Sequence, residues 1–272
     1  MKSWLLTSTL VLALAFAAAT ASGAGFDISS NWSGYAVTGL GSTANTAVTS
    51  MSFTDVTGTW TQPAATCTGG RSTSAAIWVG LGGYTVGSNS LEQTGTSADC
   101  DANGRATYYA WYELVPADSV TLKLKIFPGD TITSTVLIKG TDVLVQVKNR
   151  TRHTVFTKHL PMAYPDLTSA EWIAEAPSEC SLTGFCRTIA LTNFGSITFS
   201  KVAALGNGVG GTLTGAGWDA TPIQLVPHAH RVFGDVNASS SSTAGATPAG
   251  VSSDGRSFSL SWVADATAGA AA

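Results

Sequence analysis

Charge is scarce in this chain of 272 residues. Lys, Arg, Asp and Glu make up 11% of it, against about 25% in an ordinary soluble domain. Coiled coils, charged disordered tails and basic nucleic-acid binders all need a much denser charge. The formal net charge of -3 gives no long-range attraction to phosphates or to anionic lipids. We therefore expect no nucleic-acid partner and no membrane partner.

Familiar catalytic and metal-binding motifs are also missing. The sequence contains no GxSxG nucleophile elbow, no HExxH, no P-loop, and no GxGxxG between a strand and a helix. His228 and His230 form an H-x-H on a predicted strand, which would place both side chains on one side for a metal ion. A catalytic zinc site also needs a third ligand and an open position. We therefore expect no metal and no cofactor.

The one long apolar run stands at the start of the chain. Lys2 precedes an apolar stretch at residues 5–19, and Ala19-Thr20-Ala21 offers small residues for cleavage, which is the pattern of a secretory signal. About 15 apolar residues are too few for a membrane span, which takes ~20. We expect a signal peptide at residues 1–21, secretion, and one mature domain at residues 22–272, a length that a single large β domain can have.

Cysteine is rare, with only Cys67, Cys100, Cys180 and Cys186. In an exported protein such thiols form disulfides, and four cysteines allow three pairings. Cys180 and Cys186 bracket a short polar segment, which favours a small loop closed by that pair and leaves Cys67 to pair with Cys100. N-x-Ser/Thr triplets, which are glycosylation acceptors in suitable hosts, begin at Asn31, Asn149 and Asn237.

Alternating β-branched and aromatic residues are abundant, and turn residues separate them. This pattern predicts an all-β protein with a two-layer antiparallel β-sandwich. Hairpin turns are predicted at Lys139 to Asp142 and, one strand earlier, at Phe127 to Asp130. A stretch rich in Ser, Thr, Ala and Gly predicts a surface loop at residues 234–256. The predicted strands are 51–62, 75–81, 106–115, 120–127, 131–138, 143–148, 223–233 and 257–263.

Glutamate is so rare that each residue can be considered singly; the five are Glu92, Glu113, Glu171, Glu175 and Glu179. Glu113 shares a predicted strand face with Tyr109 and Trp111, and Glu171 and Glu175 share one with Ile173. A carboxylate on an aromatic face of a sheet is costly to bury unless it is paired or functional. Structural pairing with Lys or Arg is the alternative for each of them.

Six segments, taken in order, resemble the secreted glutamic endopeptidases called eqolisins. Each segment alone is a weak signal, but the ordered set spans nearly the whole predicted mature chain and is specific. The segments are NWSGYA at 31–36, WVGLGG at 78–83, LEQTG at 91–95, YAWYE at 109–113 with Pro116, AEWIAE at 170–175, and SDGRSF at 253–258.

The resemblance implies a sandwich of two bent antiparallel sheets, similar to concanavalin A-like and jelly-roll proteins, with the substrate on the concave face. It implies Gln93 and Glu175 as the catalytic pair, and Trp78, Trp111 and Glu113 as cleft residues that bind substrate. The residue types suit peptide hydrolysis. A glutamate can take a proton from water and return it to the leaving amine, and an amide can donate to the oxyanion.

The sequence departs from the family pattern in the cleft. Gly82 stands where fungal members commonly carry Asp, and Glu113-Leu114-Val115-Pro116 replaces their E-W-Y-P run. We therefore expect a different subsite preference and pH profile. Glu171 also matches a family position, but not that of the general base, and is expected to be structural.

Taken together, these patterns predict a secreted, metal-independent acid endopeptidase that acts as a monomer on unfolded proteins or peptides. One alternative is a carbohydrate-active sandwich, with Glu113 and Glu175 as the acid and nucleophile of a glycosidase. Another is a lectin-like interaction module. Gln93 distinguishes the predicted peptidase from the glycosidase alternative, since a two-carboxylate glycosidase does not need this residue. The low charge limits self-repulsion in acid and fits an acidic working medium.

Overall fold

The computed structural model describes residues 25–40, 51–180, 186–215, 217–229, 239–240 and 243–266. All regular secondary structure in these ranges is β-strand, and they hold no helix able to cross a membrane. In chain order the strands are β1 (Asp27–Ser29), β2 (Trp32–Gly39), β3 (Phe53–Thr61), β4 (Ala76–Gly82), β5 (Leu91–Cys100), β6 (Ala106–Val115), β7 (Val120–Lys125), β8 (Thr131–Lys139), β9 (Asp142–Asn149), β10 (Thr154–Pro161), β11 (Ser169–Glu175), β12 (Ser178–Cys180), β13 (Cys186–Thr188), β14 (Ser196–Gly206), β15 (Val209–Gly211), β16 (Trp218–Leu225), β17 (Ser239–Ser240), β18 (Gly245–Pro248) and β19 (Ser257–Val263).

The strands form one long hydrogen-bonded path, β10-β9-β8-β3-β14-β19-β18-β16-β2-β11-β4-β5-β6-β7, along which neighbours are antiparallel. β1 joins β16 in parallel, β15 joins β14, and β12, β13 and β17 make a small separate sheet. The path folds back on itself, so that β3 and β8 pack against β4, β5 and β11. The predicted all-β, two-layer antiparallel sandwich is confirmed.

The main core lies between the two layers. On β11, Ala170, Trp172 and Ala174 point into it, and the Trp172 indole donates a 2.7 Å hydrogen bond to the Thr57 carbonyl of the opposite layer. The layer that contains β4, β5 and β11 is called the second layer. Its outer face, turned away from the main core, is also apolar, so strands such as β4 are buried on both sides. The second cluster is built around Trp32, Trp78, Leu91, Trp111 and Ile173.

Most predicted strands are confirmed, and the bounds of β6 and β19 match the predicted residues. The predicted strand at 223–233 is wrong at residues 226–229, and residues 230–233 lie outside the described part of the chain. Pro227 offers no N–H for a ladder, His228 adopts a φ of 66°, and the Ala229 N–H donates to the Val226 carbonyl in a turn. His228 is therefore not on a strand, and His230 lies outside the described residues.

The two predicted hairpin turns have different outcomes. Lys139 pairs with Asp142 across Gly140, whose φ is 63°, so the β8–β9 hairpin is confirmed. At the other position the Asp130 N–H donates to the Phe127 carbonyl and a turn forms. The prediction of a hairpin there is wrong, because the two strands that the turn connects do not pair: β7 pairs with β6, whereas β8 pairs with β3 and β9. This turn passes the chain from one layer to the other.

The predicted loop at 234–256 is wrong in part, since β18 lies within it and is buried throughout. A Cβ at Gly245 would lie only 2.1 Å from the Leu225 carbonyl oxygen. Small residues there let the two backbones approach closely. Because the same small residues are common in loops, the sequence of this strand resembles that of a loop. Residues 234–238 and 241–242 lie outside the described part, and the signal peptide and domain bounds stay predictions.

The disulfide prediction is confirmed for one pair. Cys67 and Cys100 are bonded, with their Cα atoms 5.5 Å apart. Cys180 and Cys186 stand directly opposite each other in the β12–β13 pair, but their side chains are outside the described part of the chain, so their bond stays a prediction. Two of the glycosylation acceptors, Asn31 and Asn149, are buried and hydrogen-bonded, which leaves no room for a glycan in the folded protein.

Candidate active site

Four neighbouring strands build the floor of a cleft on the outer face of the second layer. β11, β4, β5 and β6 are antiparallel and in continuous register, so residues on one face line up in rows across them. Because side chains alternate between faces, every second row faces the cleft. Three such rows are Glu171–Gly80–Gln93–Glu113, Ile173–Trp78–Gly95–Trp111 and Glu175–Ala76–Ser97–Tyr109.

A cavity of about 660 Å³ lies over these rows. Its lining includes Gln93, Glu113 and Glu175, so the two predicted catalytic residues and one predicted cleft residue meet in one space. Trp111 also lines the cavity, as expected for a cleft residue. The volume falls within the range of about 300–1,000 Å³ that is typical of ligand sites.

Glu175 is the last residue of β11 and is half-buried in the cavity wall. The Trp78 indole donates a 2.8 Å hydrogen bond to its Oε2, and the Asn31 amide donates a 3.4 Å bond to its Oε1. Burial, with a smaller contribution from the charge of Glu113, raises the pKa of Glu175 to about 8, although hydrogen bonds from Trp78, Trp32 and Asn31 oppose this. The carboxyl is therefore a strong base when it loses its proton.

Gln93 and Glu113 are cross-strand partners on β5 and β6. The Gln93 Nε2 donates a 2.7 Å hydrogen bond to the Glu113 Oε2. A carboxylate accepts only from the NH2 end of an amide, so this bond fixes which end of Gln93 faces Glu113. Gln93 is only 4% exposed, and its Oε1 has no hydrogen-bond partner among the described residues.

Trp78 takes a different place from the one expected. It is fully buried and does not line the cavity; it packs edge-on against Trp32, with ring centroids 4.9 Å apart. Its contact with the site is the bond to Glu175. Sequence reasoning missed Asn31, although the matching NWSGYA segment begins with it, because an N-x-Ser triplet also predicts a glycosylation acceptor.

Two further carboxyls are buried beside the site. Glu171 and Glu92 are both 0% exposed, and their carboxyl oxygens have no hydrogen-bond partner within 3.5 Å among the described residues. Burial, with a contribution from Asp166, raises the pKa of Glu92 to about 8. Burial also raises the pKa of Glu171 well above its usual value, and Asp166 and Glu92 add to this. Burial therefore favours the neutral form of both carboxyls in the folded protein.

The unusual Gly82 is explained by Asp166. A Cβ at position 82 would lie 2.5 Å from the Cβ of Asp166, so any side chain there would collide with it. Asp166 accepts hydrogen bonds from the Thr168 N–H at 2.9 Å, from the Gly83 N–H at 3.3 Å and from the Ser88 hydroxyl. A carboxyl from the segment before β11 thus occupies the space of a side chain at position 82.

Across the part of the chain that the structure describes, no three His, Cys, Asp or Glu side chains come together to hold a metal ion. His228 is exposed in its turn. The side chains that line the cavity include the carboxyls of Glu113 and Glu175 and the amide of Gln93.

Comparisons with known proteins agree with this geometry. The sequence model of the Peptidase A4 family matches residues 30–247. The chain is similar to the crystal structure of scytalido-glutamic peptidase with a peptide-based transition-state analogue, at 25% identity and a TM-score of 0.64, over 86% of this chain and 98% of that one. It is similar to SCP-B, a member of the eqolisin family of peptidases in complex with the tripeptide Ala-Ile-His, at 24% identity and a TM-score of 0.61, over 86% and 98%.

A third similar structure is aspergilloglutamic peptidase from Aspergillus niger, at 26% identity and a TM-score of 0.53, over 70% of this chain and 99% of that one. No curated protein sequence matches the chain significantly.

Proposed function

The chain belongs to the Peptidase A4 family and is a glutamic peptidase, and we propose that it is a secreted acid endopeptidase that uses Gln93 and Glu175 as its catalytic pair. The observation that carries the proposal is the meeting of these two side chains in one cavity. A solved structure similar to this chain holds a peptide-based transition-state analogue. We propose that unfolded proteins or peptides bind in the same cavity here.

In the proposed reaction, the Glu175 carboxylate takes a proton from water while the water oxygen attacks the scissile carbonyl carbon. The carbonyl oxygen becomes an oxyanion, and the Gln93 amide donates a hydrogen bond to it. Glu175 then gives its proton to the leaving amine as the C–N bond breaks. Glu175 thus acts as the base of the first step and as the acid of the second, and the scheme needs no metal.

Glu113 supports Gln93 in this scheme. One N–H of the Gln93 amide is held by Glu113 at 2.7 Å, which leaves the second N–H for the oxyanion. An amide fixed in advance stabilises charge without having to reorient during the reaction. Because Glu113 is occupied in this way, the geometry gives less support to a glycosidase that uses Glu113 as an acid.

The pKa of Glu175 determines the acidic limb of the activity. Because burial and the Glu113 charge raise this pKa to about 8, only a minority of Glu175 is ionised in acid, and the general-base activity of that minority falls further as the pH falls. The upper limit of the working range then requires another group. The buried acids Glu92 and Glu171 supply it, since their ionisation at higher pH opposes folding.

The proposal is tested by incubating the purified protein with an unfolded protein substrate from pH 2 to pH 8. Gln93→Ala and Glu175→Gln are assayed beside it, and a polysaccharide digest tests the glycosidase alternative. We expect peptide cleavage by the wild type, strong losses in both variants and no effect of a chelator. No cleavage at any pH sinks the proposal, and full activity of Glu175→Gln sinks the assignment of the base. N-terminal sequencing of protein from the culture medium tests secretion and cleavage after Ala21.

A further inference from the structure

The short turn between β1 and β2 places a buried amide against Glu175. The Val226 N–H donates a 2.7 Å hydrogen bond to the Ser29 carbonyl at the start of the turn. The Ala176 N–H donates a 2.8 Å hydrogen bond to the Asn31 carbonyl. The side chains of Ser29 and Asn31 are both buried. The backbone of the turn is thus fixed to the end of β16 and to the residue that follows Glu175.

The hydroxyl of Ser29 is fully engaged inside this turn. It accepts the Asn31 N–H at 3.2 Å and the Trp32 N–H at 3.0 Å. It donates its own hydrogen to the Asn31 Oδ1 at 2.8 Å. Because a hydroxyl has one hydrogen and two lone pairs, the two accepted bonds direct that hydrogen toward the Asn31 amide.

This hydroxyl decides which end of the Asn31 amide faces Glu175. Since the Oδ1 accepts from Ser29, the Nδ2 is the end that donates to the Glu175 Oε1, at 3.4 Å. A flipped amide would place one acceptor against another and repel the ionised carboxylate. The donor that Asn31 offers to Glu175 therefore depends on Ser29.

The second carboxyl oxygen of Glu175 is held from the opposite side. The Trp78 indole donates a 2.8 Å hydrogen bond to the Oε2. Trp78 lies on β4 and Asn31 lies directly before β2, and these two strands flank β11. A carboxyl with a donor on one oxygen can still turn about its Cγ–Cδ bond, whereas donors on both oxygens oppose that rotation. Orientation matters here because reacting groups must be aligned at about 3–3.5 Å.

Resting on the proposed role of Glu175 as the base, we propose that Asn31 is a positioning residue that holds the Glu175 carboxyl toward the attacking water, and that Ser29 fixes the Asn31 amide for this task. Neither Ser29 nor Asn31 lines the cavity, so both act through Glu175 and not on the substrate. A hydrogen bond donated to a carboxylate stabilises the charge on the oxygen that accepts it. Because the bond to the Oε1 is the longer of the two, the Oε1 is the oxygen that takes the proton of the water.

The test measures kcat and KM separately on a peptide with a single cleavage site. We expect Asn31→Ala to lower kcat by about 100-fold, which is the cost of misplacing a catalytic group by about 1 Å, and to leave KM within about twofold. Ser29→Ala lowers kcat by at least about tenfold at an unchanged KM, and Ser29→Thr, which keeps the hydroxyl, restores most of the loss. Ser30→Ala is the matched control and keeps the wild-type kcat, because the buried Ser30 hydroxyl has no hydrogen-bond partner among the described residues.

A double variant tests the route from Ser29 to Glu175. If Ser29 acts through the Asn31 amide, adding Ser29→Ala to Asn31→Ala lowers kcat by less than about twofold more, because the amide that Ser29 fixes is already gone. Two losses that multiply in the double variant overturn this route.

A folded Asn31→Ala variant with the wild-type kcat overturns the proposal, and so does a loss that appears only as a higher KM. Folding is checked by circular dichroism. If Ser29→Ala does not fold, Asn31→Ala still decides, because it keeps every backbone hydrogen bond of the turn. If the wild type cleaves nothing, or if Glu175→Gln cleaves at the wild-type rate, the proposed function fails and the positioning role with it. Those results do not involve the Ser29 and Asn31 variants, so the two failures are distinct.

Discussion

We predict that Glu92 makes the fold sensitive to neutral pH. It lies on β5 with no exposed surface, and burial with the help of Asp166 raises its pKa from its usual 4.5 to about 8. The charged neighbours that act on Glu92 and Glu171 are themselves acidic, namely Asp166 for both and Glu92 for Glu171. Ionisation of either group therefore meets no compensating positive charge.

The sign and size of the effect follow from linkage. Below pH 4.5 Glu92 is neutral in both the folded and the unfolded chain, so its contribution to stability is fully present. Between pH 4.5 and about 8 the unfolded chain has lost the proton that the folded chain keeps, and the free energy of unfolding falls with pH. At about 1.4 kcal/mol per pKa unit, the whole difference is about 5 kcal/mol, a large part of the roughly 5–15 kcal/mol that stabilises a typical domain.

We predict that Glu92→Gln removes this loss, because glutamine has nearly the shape of the neutral acid and does not ionise. Urea unfolding is measured from pH 3.5 to pH 8, with Gln93→Ala present in every protein to prevent self-digestion. Relative to their difference at pH 4, we expect Glu92→Gln to be about 3 kcal/mol more stable than its parent at pH 7. Glu179→Gln is the matched control, because Glu179 is exposed and paired with Arg187. If Glu92→Gln and its parent lose stability with pH at the same rate, the reasoning about Glu92 is refuted.

Three other predictions concern the site and the disulfide. Glu113→Gln keeps an acceptor for the Gln93 amide but removes a charge that raises the pKa of Glu175, so the acidic limb of kcat/KM moves to lower pH, whereas Glu113→Ala lowers kcat strongly; a limb that stays in place in Glu113→Gln contradicts this. Trp78→Phe removes the indole donor to Glu175, so the same limb moves to higher pH, and an unchanged pH profile argues against the contact. Replacing Cys67 and Cys100 together by Ser opens a loop with a sequence separation of 33 residues, and equilibrium unfolding should show a loss of about 4 kcal/mol; a loss below about 1 kcal/mol contradicts that estimate.

Strands that show their alternation over many residues could be predicted from the sequence, because one wet and one dry face repeat at period two. β6 and β19 are of this kind. β18 could not be predicted, since its pairing depends on the close approach of Gly245 to the backbone of Leu225, and small residues are as common in loops as in such contacts. The turn at Phe127 to Asp130 was predicted as a turn, but turn chemistry alone does not say which sheet the next strand joins.

The candidate site divides in the same way. Gln93, Glu113 and Glu175 could be proposed from short ordered motifs, and the structure brings their side chains to one cavity. Asn31 bonds to a residue 144 positions away, and Asp166 fills the space over Gly82 from another segment. These contacts arise from the order of strands in the sheet, which a single sequence does not reveal.

In this chain with few charged residues, two buried carboxyls, Asp130 and Glu92, have pKa values shifted in opposite directions. Burial acts to raise the pKa of Asp130, but hydrogen bonds from Arg152, Asn149 and the Phe127 backbone outweigh it and leave the pKa below its usual value. The stability that Asp130 contributes is therefore lost as the pH falls through this lowered pKa. Glu92 has the opposite sign and loses its contribution as the pH rises toward about 8. These two groups together favour the fold between the lowered pKa of Asp130 and about pH 8, and because the pKa of the proposed base Glu175 is also about 8, Glu175 acts in that interval through its ionised minority.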